Sequence, residues 1–595
     1  MTAFDWARMN TLWEARALSP LYDPNDAEAD SPAIISVSSD GAPVVITRRE
    51  FADQAGRYAL ALHNLGIMPE GNGEGKPLVL IAHTQNLESI YAFWGCLLLN
   101  LIPSMFPTLT EKLDPAHYMR NLAEVARVSH VRAVLTTDGF APTLRETLPC
   151  ELFSSAQIAA AQDPQRDGIR AHAHLRYLGR VSGDIIGPNS YDNRIYPDPM
   201  SIALLQHSSG TTGLQKGVAL SHRAVLNQIT SYARALKLRN DDVIASWLPL
   251  YHDMGLIAGF LLPLIAGIPL VLMSPFDWVA HPALLLRAIH DYRATLCWLP
   301  NFAYNHMALR VRQRDSEGLD LAHMRAFINC SEPVRASSHA LFLERFAANG
   351  VRADQLAVSY AMAENTFAVT QTALGELARI EPIDRDALQR DLRAAPVAED
   401  HPKAMAQVSC GRPIAGTQVK VVDADGALLP ERRIGELLVK SDCMLTGYFR
   451  RPDLQPFDAG GWYKTGDRGY IAHGEVFVVG RSKDLLIIAG KNVYPQDIEA
   501  LLYELDGIHP GRAVAFGVPD EREGTELLAV LAEVDSDNDG TRRGLQVAVR
   551  QHIARSSEVT VSYVTFVPRG WLIKTSSGKT ARAANRDKWL AERAP

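Results

Sequence analysis

The sequence predicts an α/β protein with a large amino-terminal part of layered sheets and helices and a small α+β domain at the carboxy-terminal end. Helical patterns alternate with short apolar runs over residues 1–200, which is typical of α/β layers. From Val408 the chain becomes β-rich, and about 110 residues follow position 484, enough for a separate small domain. The total of 595 residues allows roughly three or four domain-sized units.

Apolar spacing predicts the individual elements. Alternating or continuous apolar runs predict strands at 78–82, 133–136, 269–273, 418–422, 435–439, 513–517 and 527–533. Helical spacing predicts helices at 51–65, 87–99, 222–238 and 495–505. Ser221 is placed to cap the third of these helices.

Residues 255–276 carry no charge over a length that could span a bilayer. Pro263, Gly267, Pro269 and Pro275 divide this stretch, because proline and glycine interrupt a helix. We therefore expect a buried helix that ends near position 266, a turn and a buried strand, and no transmembrane helix.

Composition and charge exclude several classes of protein. Hydrophobic residues make up 47% and charged residues 21% of the chain, as in soluble globular proteins. With a net charge of −7, the chain has no global attraction to nucleic acid or to an anionic membrane. Six scattered cysteines without a C-x-x-C pair argue against a zinc site and a disulfide scaffold. No signal peptide is visible, so we expect a cytoplasmic protein.

The densest chemical signal is a loop at 206–217, between apolar runs at 202–205 and 218–220. Its hydroxyls, glycines and lysine form an arc of donors for phosphate oxygens, and these residues are Ser208, Ser209, Gly210, Thr211, Thr212, Gly213 and Lys216. The loop is not a Walker A motif, because Gln215 stands where the second glycine is required. Taken alone, its composition fits a phosphate cradle and a surface turn equally well.

Four later features add to this signal. Polar or aromatic groups follow strand-like runs at 247–255 and 298–304, where α/β folds usually bind ligands. Glu364 lies among small, mostly uncharged residues, where a carboxylate needs a partner, a metal or water; an exposed loop glutamate is the alternative. The charged segment 371–407 has little strand pattern and predicts a solvent-facing insertion. Lys579 lies on a Gly-Ser loop within a basic tail.

In this order, the motifs resemble the adenylate-forming superfamily of acyl-CoA synthetases, luciferases and peptide-synthetase adenylation domains over nearly the whole chain. The closest resemblance is to fatty acyl-AMP ligases, and it rests on the motifs at 247–255, 300–304, 332–335, 483–484, 494–499 and 575–579. The segment 371–407 falls near an insertion that is similar in those ligases. The resemblance implies an amino-terminal adenylation domain at 1–480, a hinge at 481–484 and a mobile lid domain at 485–595.

The resemblance also implies a reaction in two steps. A carboxylic acid, by analogy a fatty acid, attacks ATP in the presence of Mg²⁺ to give acyl-AMP and pyrophosphate. The acyl group then passes to the phosphopantetheine thiol of an acyl carrier protein, with CoA disfavoured. An acyl-CoA synthetase of the same fold and a non-catalytic nucleotide-binding scaffold are the alternatives. Nucleic acid and stable membrane insertion are not expected.

For the nucleotide, the resemblance implies that the loop residues named above hold the β- and γ-phosphates, with Thr212 and Lys216 catalytic. Tyr360 would stack on adenine, and Asp467, with Arg481 nearby, would bind the ribose hydroxyls. Further nucleotide-binding positions are matched by Ser331, Glu332, Pro333 and Ala361.

Glu364 matches the Mg²⁺-associated glutamate of the family and Lys483 its hinge residue. Lys579 would reach the α-phosphate and the attacking carboxylate, where it would stabilise developing charge. The residues implied for the acyl pocket are Trp247, His252, Asp253, Met254 and Phe302. Ala361 and Asn365 depart from the residues common in the family, so a plain long-chain fatty acid is not implied.

Overall fold

The computed structural model of the protein confirms the α/β class. The residues that it describes are 9–23, 25–68, 75–83, 86–107, 109, 115–162, 197–207, 216–488, 491–509, 511–520, 525–535, 538–557, 559–575 and 579–593. Within these residues the strands form seven sheets of two to nine strands. Helices alternate with the strands through most of the amino-terminal part.

A nine-stranded sheet forms the centre of the molecule. Six consecutive strands run parallel, and antiparallel strands close both edges. In spatial order the strands are Arg412–Pro413, Ala368–Gln371, Leu356–Ala361, Ala326–Asn329, Leu296–Leu299, Ile244–Ser246, Leu270–Met273, Pro32–Val37 and Val44–Thr47. Since the carboxyl ends of parallel strands meet at one edge, the segments that follow them converge there.

Two smaller sheets pack together, and the second contains the strands that precede and follow residues 208–215. The four parallel strands of the first are Ile102–Met105, Leu78–Ala82, Ala133–Thr136 and Glu151–Ser154. The three antiparallel strands of the second are Gly447–Tyr448, Gly217–Ser221 and Ile202–His207. Leu205 and Ala219 of the second sheet share a core with Leu78 and Leu80 of the first. The predicted strands on both sides of the loop are therefore confirmed.

Local capping explains where several helices begin. The helices are Ser19–Tyr22, Arg48–Asn64, Leu87–Leu98, Pro115–Val128, Ala141–Arg145, Ser155–Ala161, His222–Ala235, Leu262–Ala266, Pro275–Ala280, Ala283–Asp291, Asn301–Arg310, Gln313–Ser316, Ala336–Phe346, Arg385–Asp391, Pro495–Leu502, Asp539–Ser557 and Arg582–Arg593. Thr47 and Glu50 form a capping box at the second of them. The hydroxyl of Ser221 accepts a hydrogen bond from the Ala224 amide at 3.0 Å, which confirms the predicted cap.

The uncharged stretch after the Trp247 motif is buried in the protein core. It contains a π-helix at Met254–Leu261, the helix Leu262–Ala266 and the strand Leu270–Met273. Gly267 ends the helix with a φ of 74°, a left-handed conformation that favours glycine. None of the helices in the described part of the chain has the length and apolar character needed to span a bilayer.

The prediction that 371–407 has little strand structure is wrong. Ile380–Asp384 and Ala404–Val408 form an antiparallel pair with the helix Arg385–Asp391 between them. Ile383 and Leu388 are buried against Tyr470 and Phe477, which belong to a neighbouring antiparallel sheet. The strands of that sheet are Thr417–Val422, Gly435–Ser441, Tyr463–Ala472 and Glu475–Arg481. A few inward apolar residues among many outward charges determine this structure, so the average composition of the segment misleads.

The carboxy-terminal part is a small α+β unit with its own core. Leu486–Ile488 pairs with Lys491–Val493. A three-stranded sheet follows, with the strands Ala513–Asp520, Thr525–Glu533 and Val561–Val567. Leu502, Val530 and Ile553 meet in the core between this sheet and its helices. The limits 1–480, 481–484 and 485–595 remain our proposal for the domains.

The insertion is tied to the neighbouring sheet by an ion pair, and we expect its loss to destabilise the protein. Arg432 donates to both carboxylate oxygens of Glu381, at 2.9 Å and 3.0 Å. Arg432→Met should lower the free energy of unfolding by about 1–2 kcal/mol, because the guanidinium is only partly exposed and Glu381 loses its partner. The measurement is urea denaturation. The exposed pair of Arg451 and Asp453 offers the control, and Arg451→Met should change the midpoint little.

Buried histidines predict a loss of stability in mild acid. Burial lowers the pKa of His207 and of His339 to about 4, and that of His222 to about 3. The unfolded chain binds these protons near pH 6.5, whereas the native protein does not. Stability is therefore complete above pH 6.5 and falls by up to about 1.4 kcal/mol per histidine for each pH unit below it. Denaturant midpoints between pH 7 and pH 5 measure this slope, and a His339→Gln variant with the slope of the wild type would contradict it.

Candidate active site

Lys579 reaches from the carboxy-terminal part to the edge of the central sheet. Its ammonium Nζ donates to the carbonyl oxygen of Ser331 at 2.7 Å. The Lys579 carbonyl accepts a hydrogen bond from the Thr575 amide at 2.7 Å. Ser331 follows the strand Ala326–Asn329 and has a φ of 70°, an unusual conformation for a non-glycine residue that turns the chain sharply.

Three ionisable side chains surround this contact. Burial raises the pKa of Asp253 and of Glu332, and the positive charge of Lys579 lowers each of them in part. Burial and then the same charge lower the pKa of His252 to about 3, so its imidazole is neutral. Among the described residues no atom pairs with the buried Nε2 of His252. Lys579 thus lies near a neutral imidazole and near two carboxyl groups whose pKa values are raised.

A second cluster lies at the end of the strand Leu356–Ala361. The hydroxyl of Tyr360 donates to Oδ2 of Asp467 at 2.6 Å, and Arg481 Nε lies 3.2 Å from Oδ1 of the same carboxylate. Asp467 and Arg481 face each other across neighbouring antiparallel strands, so the sheet fixes their distance. The charge of Asp467 raises the pKa of Arg481. This cluster combines a ring, a carboxylate and a guanidinium, which suits a ribose and its base.

Glu364 lies beside two tyrosines, one of which also contacts Lys216. The hydroxyl of Tyr448 donates to Oε1 of Glu364 at 3.1 Å and lies 3.1 Å from the hydroxyl of Tyr463. The ammonium of Lys216 lies over the Tyr448 ring, 5.0 Å from its centroid. The Tyr448 hydroxyl therefore fixes the Glu364 carboxylate, and Glu364 is not an exposed loop residue.

Most of the predicted nucleotide residues that the structure describes lie at this edge of the sheet. Ser331, Glu332, Tyr360, Glu364, Asp467, Arg481 and Lys579 are placed as described above, and Lys216 completes the set. Ala361 is half-buried at the strand end, and Pro333 is exposed. Ser208, Ser209, Gly210, Thr211, Thr212 and Gly213 lie outside the described residues. Lys483 lies in the short turn Ser482–Asp484, where burial lowers its pKa.

The five residues predicted for the acyl pocket divide into two groups. His252, Asp253 and Met254 lie at the Lys579 contact, and Met254 Sδ is 3.8 Å from the Ser331 hydroxyl. Trp247 stacks on Trp278, with ring centroids 3.7 Å apart. Phe302 packs edge-on against both indoles. Trp247 and Phe302 thus form a separate aromatic group with Trp278.

Sequence reasoning missed several residues that complete the site. Tyr448 and Tyr463 hold Glu364, although nothing in the sequence links their positions. Arg335 donates to the Gln496 carbonyl at 3.0 Å and to Asp497 at 2.9 Å, which joins the large part to the small one. Arg335 and Asp497 both belong to motifs noted above, so their opposite charges could have predicted that they form an ion pair.

A family model for AMP-binding enzymes matches residues 23–449. The long-chain-fatty-acid–AMP ligase FadD32 of Mycolicibacterium smegmatis is 31% identical over 600 residues, covering 93% of this chain and 90% of the relative. The medium-chain-fatty-acid–[acyl-carrier-protein] ligase JamA of Moorena producens is 30% identical and covers 86% of this chain and 85% of its own. A Caulobacter vibrioides relative, provisionally an acyl-CoA synthetase, is 30% identical over 87% of this chain and 86% of its own.

The fold agrees with these relatives. A structure from a study of fatty acyl-adenylate ligases from E. coli and L. pneumophila superposes with a TM-score of 0.84, at 26% identity and over 99% of both chains. Family match, relatives and fold agree with the resemblance predicted from the motifs. The chain therefore belongs to the AMP-binding enzyme family, and fatty acyl-AMP ligases are among its relatives.

Proposed function

We propose that this protein uses ATP to convert a carboxylic acid, of the fatty type, to acyl-AMP and then transfers the acyl group to the phosphopantetheine thiol of an acyl carrier protein. The contact of Lys579 with Ser331 carries the proposal. It brings a cation to the end of the central sheet, close to Asp253 and Glu332. A cation at this place is what the joining of two anions requires.

In the first step an oxygen of the substrate carboxylate forms a bond to the α-phosphorus. The bond from this phosphorus to the oxygen of the departing pyrophosphate breaks at the same centre. Because both reactants are negative, catalysis consists mainly of positioning and of charge neutralisation. Lys579 acts on the α-phosphate and the attacking carboxylate, and Asp467 orients the ribose. The loop residues 208–213 and Lys216 hold the leaving phosphates.

Glu364 is the residue that would hold Mg²⁺. Within the described residues no group of three acidic, histidine or cysteine side chains is arranged to hold a metal by itself. One carboxylate fixed by the Tyr448 hydroxyl fits a magnesium ion that shares its remaining positions with phosphate oxygens and water. When bound, the ion would supply neutralisation of charge on the phosphates.

In the second step the carrier thiol attacks the acyl carbonyl, and AMP leaves. Lys579 is then no longer needed, and its departure with the small domain would open the thiol path. Such a rotation must break the contacts of Lys579 and of Arg335. It must also break the hydrogen bond from the Asn492 side chain to the Gln389 carbonyl and the packing of Tyr494 against Tyr470 and Val479. Lys483 lies in the turn at the boundary, where a change of φ and ψ could produce the motion.

Removing Lys579 should separate the two steps. Lys579→Ala should lower the rate of acyl-AMP formation by about 100-fold or more, because charge developing at the α-phosphate loses its cation. Transfer from preformed acyl-AMP to a holo carrier should change far less. Lys588→Ala is the matched control, since Lys588 contacts Trp571 within the small domain. Equal losses in both half-reactions of Lys579→Ala would refute this role.

A test of the acceptor decides between the carrier protein and CoA. CoA is the acceptor that the name of the Caulobacter relative indicates. The wild-type protein is incubated with ATP, Mg²⁺ and a panel of acids, and pyrophosphate is measured; CoA or a holo carrier protein is then added. We expect pyrophosphate release and acylation of the carrier. Efficient formation of acyl-CoA would show that CoA is the acceptor and would contradict the proposed transfer to a carrier protein. No pyrophosphate with any acid would favour a nucleotide-binding scaffold.

A further inference from the structure

Several side chains on the strands that lead to Ser331 share one face of the central sheet. In the parallel strands, Trp298 is in register with Ile328, which is in register with Ala357. Side chains on one face recur every second residue, so Cys330 and Ser359 share this face with Trp298. Cys330 directly precedes Ser331, the partner of Lys579. Trp298 therefore lies one side-chain step further into the sheet than the reaction centre.

The π-helix Met254–Leu261 covers the same face. A Cβ atom on Gly259 would lie only 2.6 Å from the hydroxyl of Ser246, so the helix backbone approaches the sheet closely. Ser246 has the orientation of Trp298, since Ile244 is in register with Leu296. An acyl group that enters at Met254 and Ser331 is thus confined between this helix and the strand ends.

A hydrogen-bonded aromatic group fills the space beyond Cys330. The indole nitrogen of Trp298 donates to the Tyr232 hydroxyl at 2.8 Å, and this hydroxyl donates to Oε1 of Gln371 at 2.8 Å. Phe367 packs edge-on against the Tyr232 ring, with centroids 5.4 Å apart. All four side chains are buried. We call Trp298, Tyr232, Gln371 and Phe367 the rear cluster.

The rear cluster is locked in place. Both polar functions of the Tyr232 hydroxyl are used, and the Cys330 thiol and the Ser359 hydroxyl lie beside it. If Trp298 swung aside, a buried indole N–H and a buried hydroxyl would each lose a partner, which is unfavourable. The cluster therefore cannot open for a long substrate without breaking its own hydrogen bonds.

We propose that the rear cluster is the end wall of the acyl site and restricts this protein to compact acids with short acyl chains. This inference rests on the proposed function and specifies its substrate class. Trp298 would be the residue that determines specificity, because it lies on a central strand and has the largest side chain of the cluster.

The experiment measures pyrophosphate release with straight-chain saturated acids from acetate to palmitate. For the wild type we expect kcat/KM to fall by about tenfold or more from the preferred short acid to palmitate, because the wall rejects additional methylenes. Trp298→Ala should move the optimum to longer acids, with a gain of about tenfold or more for acids that the wild type rejects. Trp298→Leu serves if the alanine variant does not fold, with a smaller shift in the same direction.

Trp589→Ala is the matched control, because Trp589 is a buried indole of the small carboxy-terminal unit whose N–H donates to the Thr565 hydroxyl at 3.1 Å. It should lower stability and leave the chain-length profile unchanged. A wild type that uses palmitate as well as short acids would overturn the inference, as would Trp298 variants with the wild-type profile. Either result leaves the proposed function intact. No release with any acid would overturn the proposed function, and this inference with it.

Discussion

The contact between Lys579 and the carbonyl of Ser331 determines how the rest of the site is assembled. It joins residues 248 positions apart, and it exists only while the small carboxy-terminal unit is seated on the large one. Arg335 also joins the two units, because it donates to Asp497 and to the Gln496 carbonyl. A site built in two halves can release one of them between its two chemical steps, which a site within one rigid unit could not do.

Repulsion between negative charges opposes the proposed reaction, and the arrangement of the side chains reduces this repulsion. Asp253, Glu332, Glu364 and Asp467 all lie near the place where an anionic acid would meet a polyanionic nucleotide. Burial keeps the pKa of Asp253 and of Glu332 raised, which favours their neutral forms. Asp467 is offset by Arg481, and the neutral His252 adds no charge. Lys579 is thus a cation that can act on the reacting groups on this side of the site.

Much of the fold was predictable because its elements have strong local signals. The strands around the phosphate loop, the Ser221 cap and the interrupted apolar stretch at 255–276 follow from spacing and from proline and glycine. The structure of the insertion did not follow, since a few buried apolar residues among many charges, such as Ile383 and Leu388, determine it. In the candidate site, the motif order predicted Lys579, Ser331, Tyr360 and Asp467, which the structure brings into two contacts, and their roles stay a proposal. The partners of Glu364 were missed, because Tyr448 and Tyr463 meet it only through tertiary packing.

The sheet separates the chemistry from the choice of acid. The phosphate and ribose groups lie on loops and strand ends, whereas the side chains that could limit an acyl group point from strand interiors onto one face. Substitutions at Trp298 or Cys330 can therefore reshape the acyl site while the Asp467–Arg481 pair stays fixed by its own ladder. The departures from the common family residues at Ala361 and Asn365 lie at the end of a strand and in the short turn that follows it.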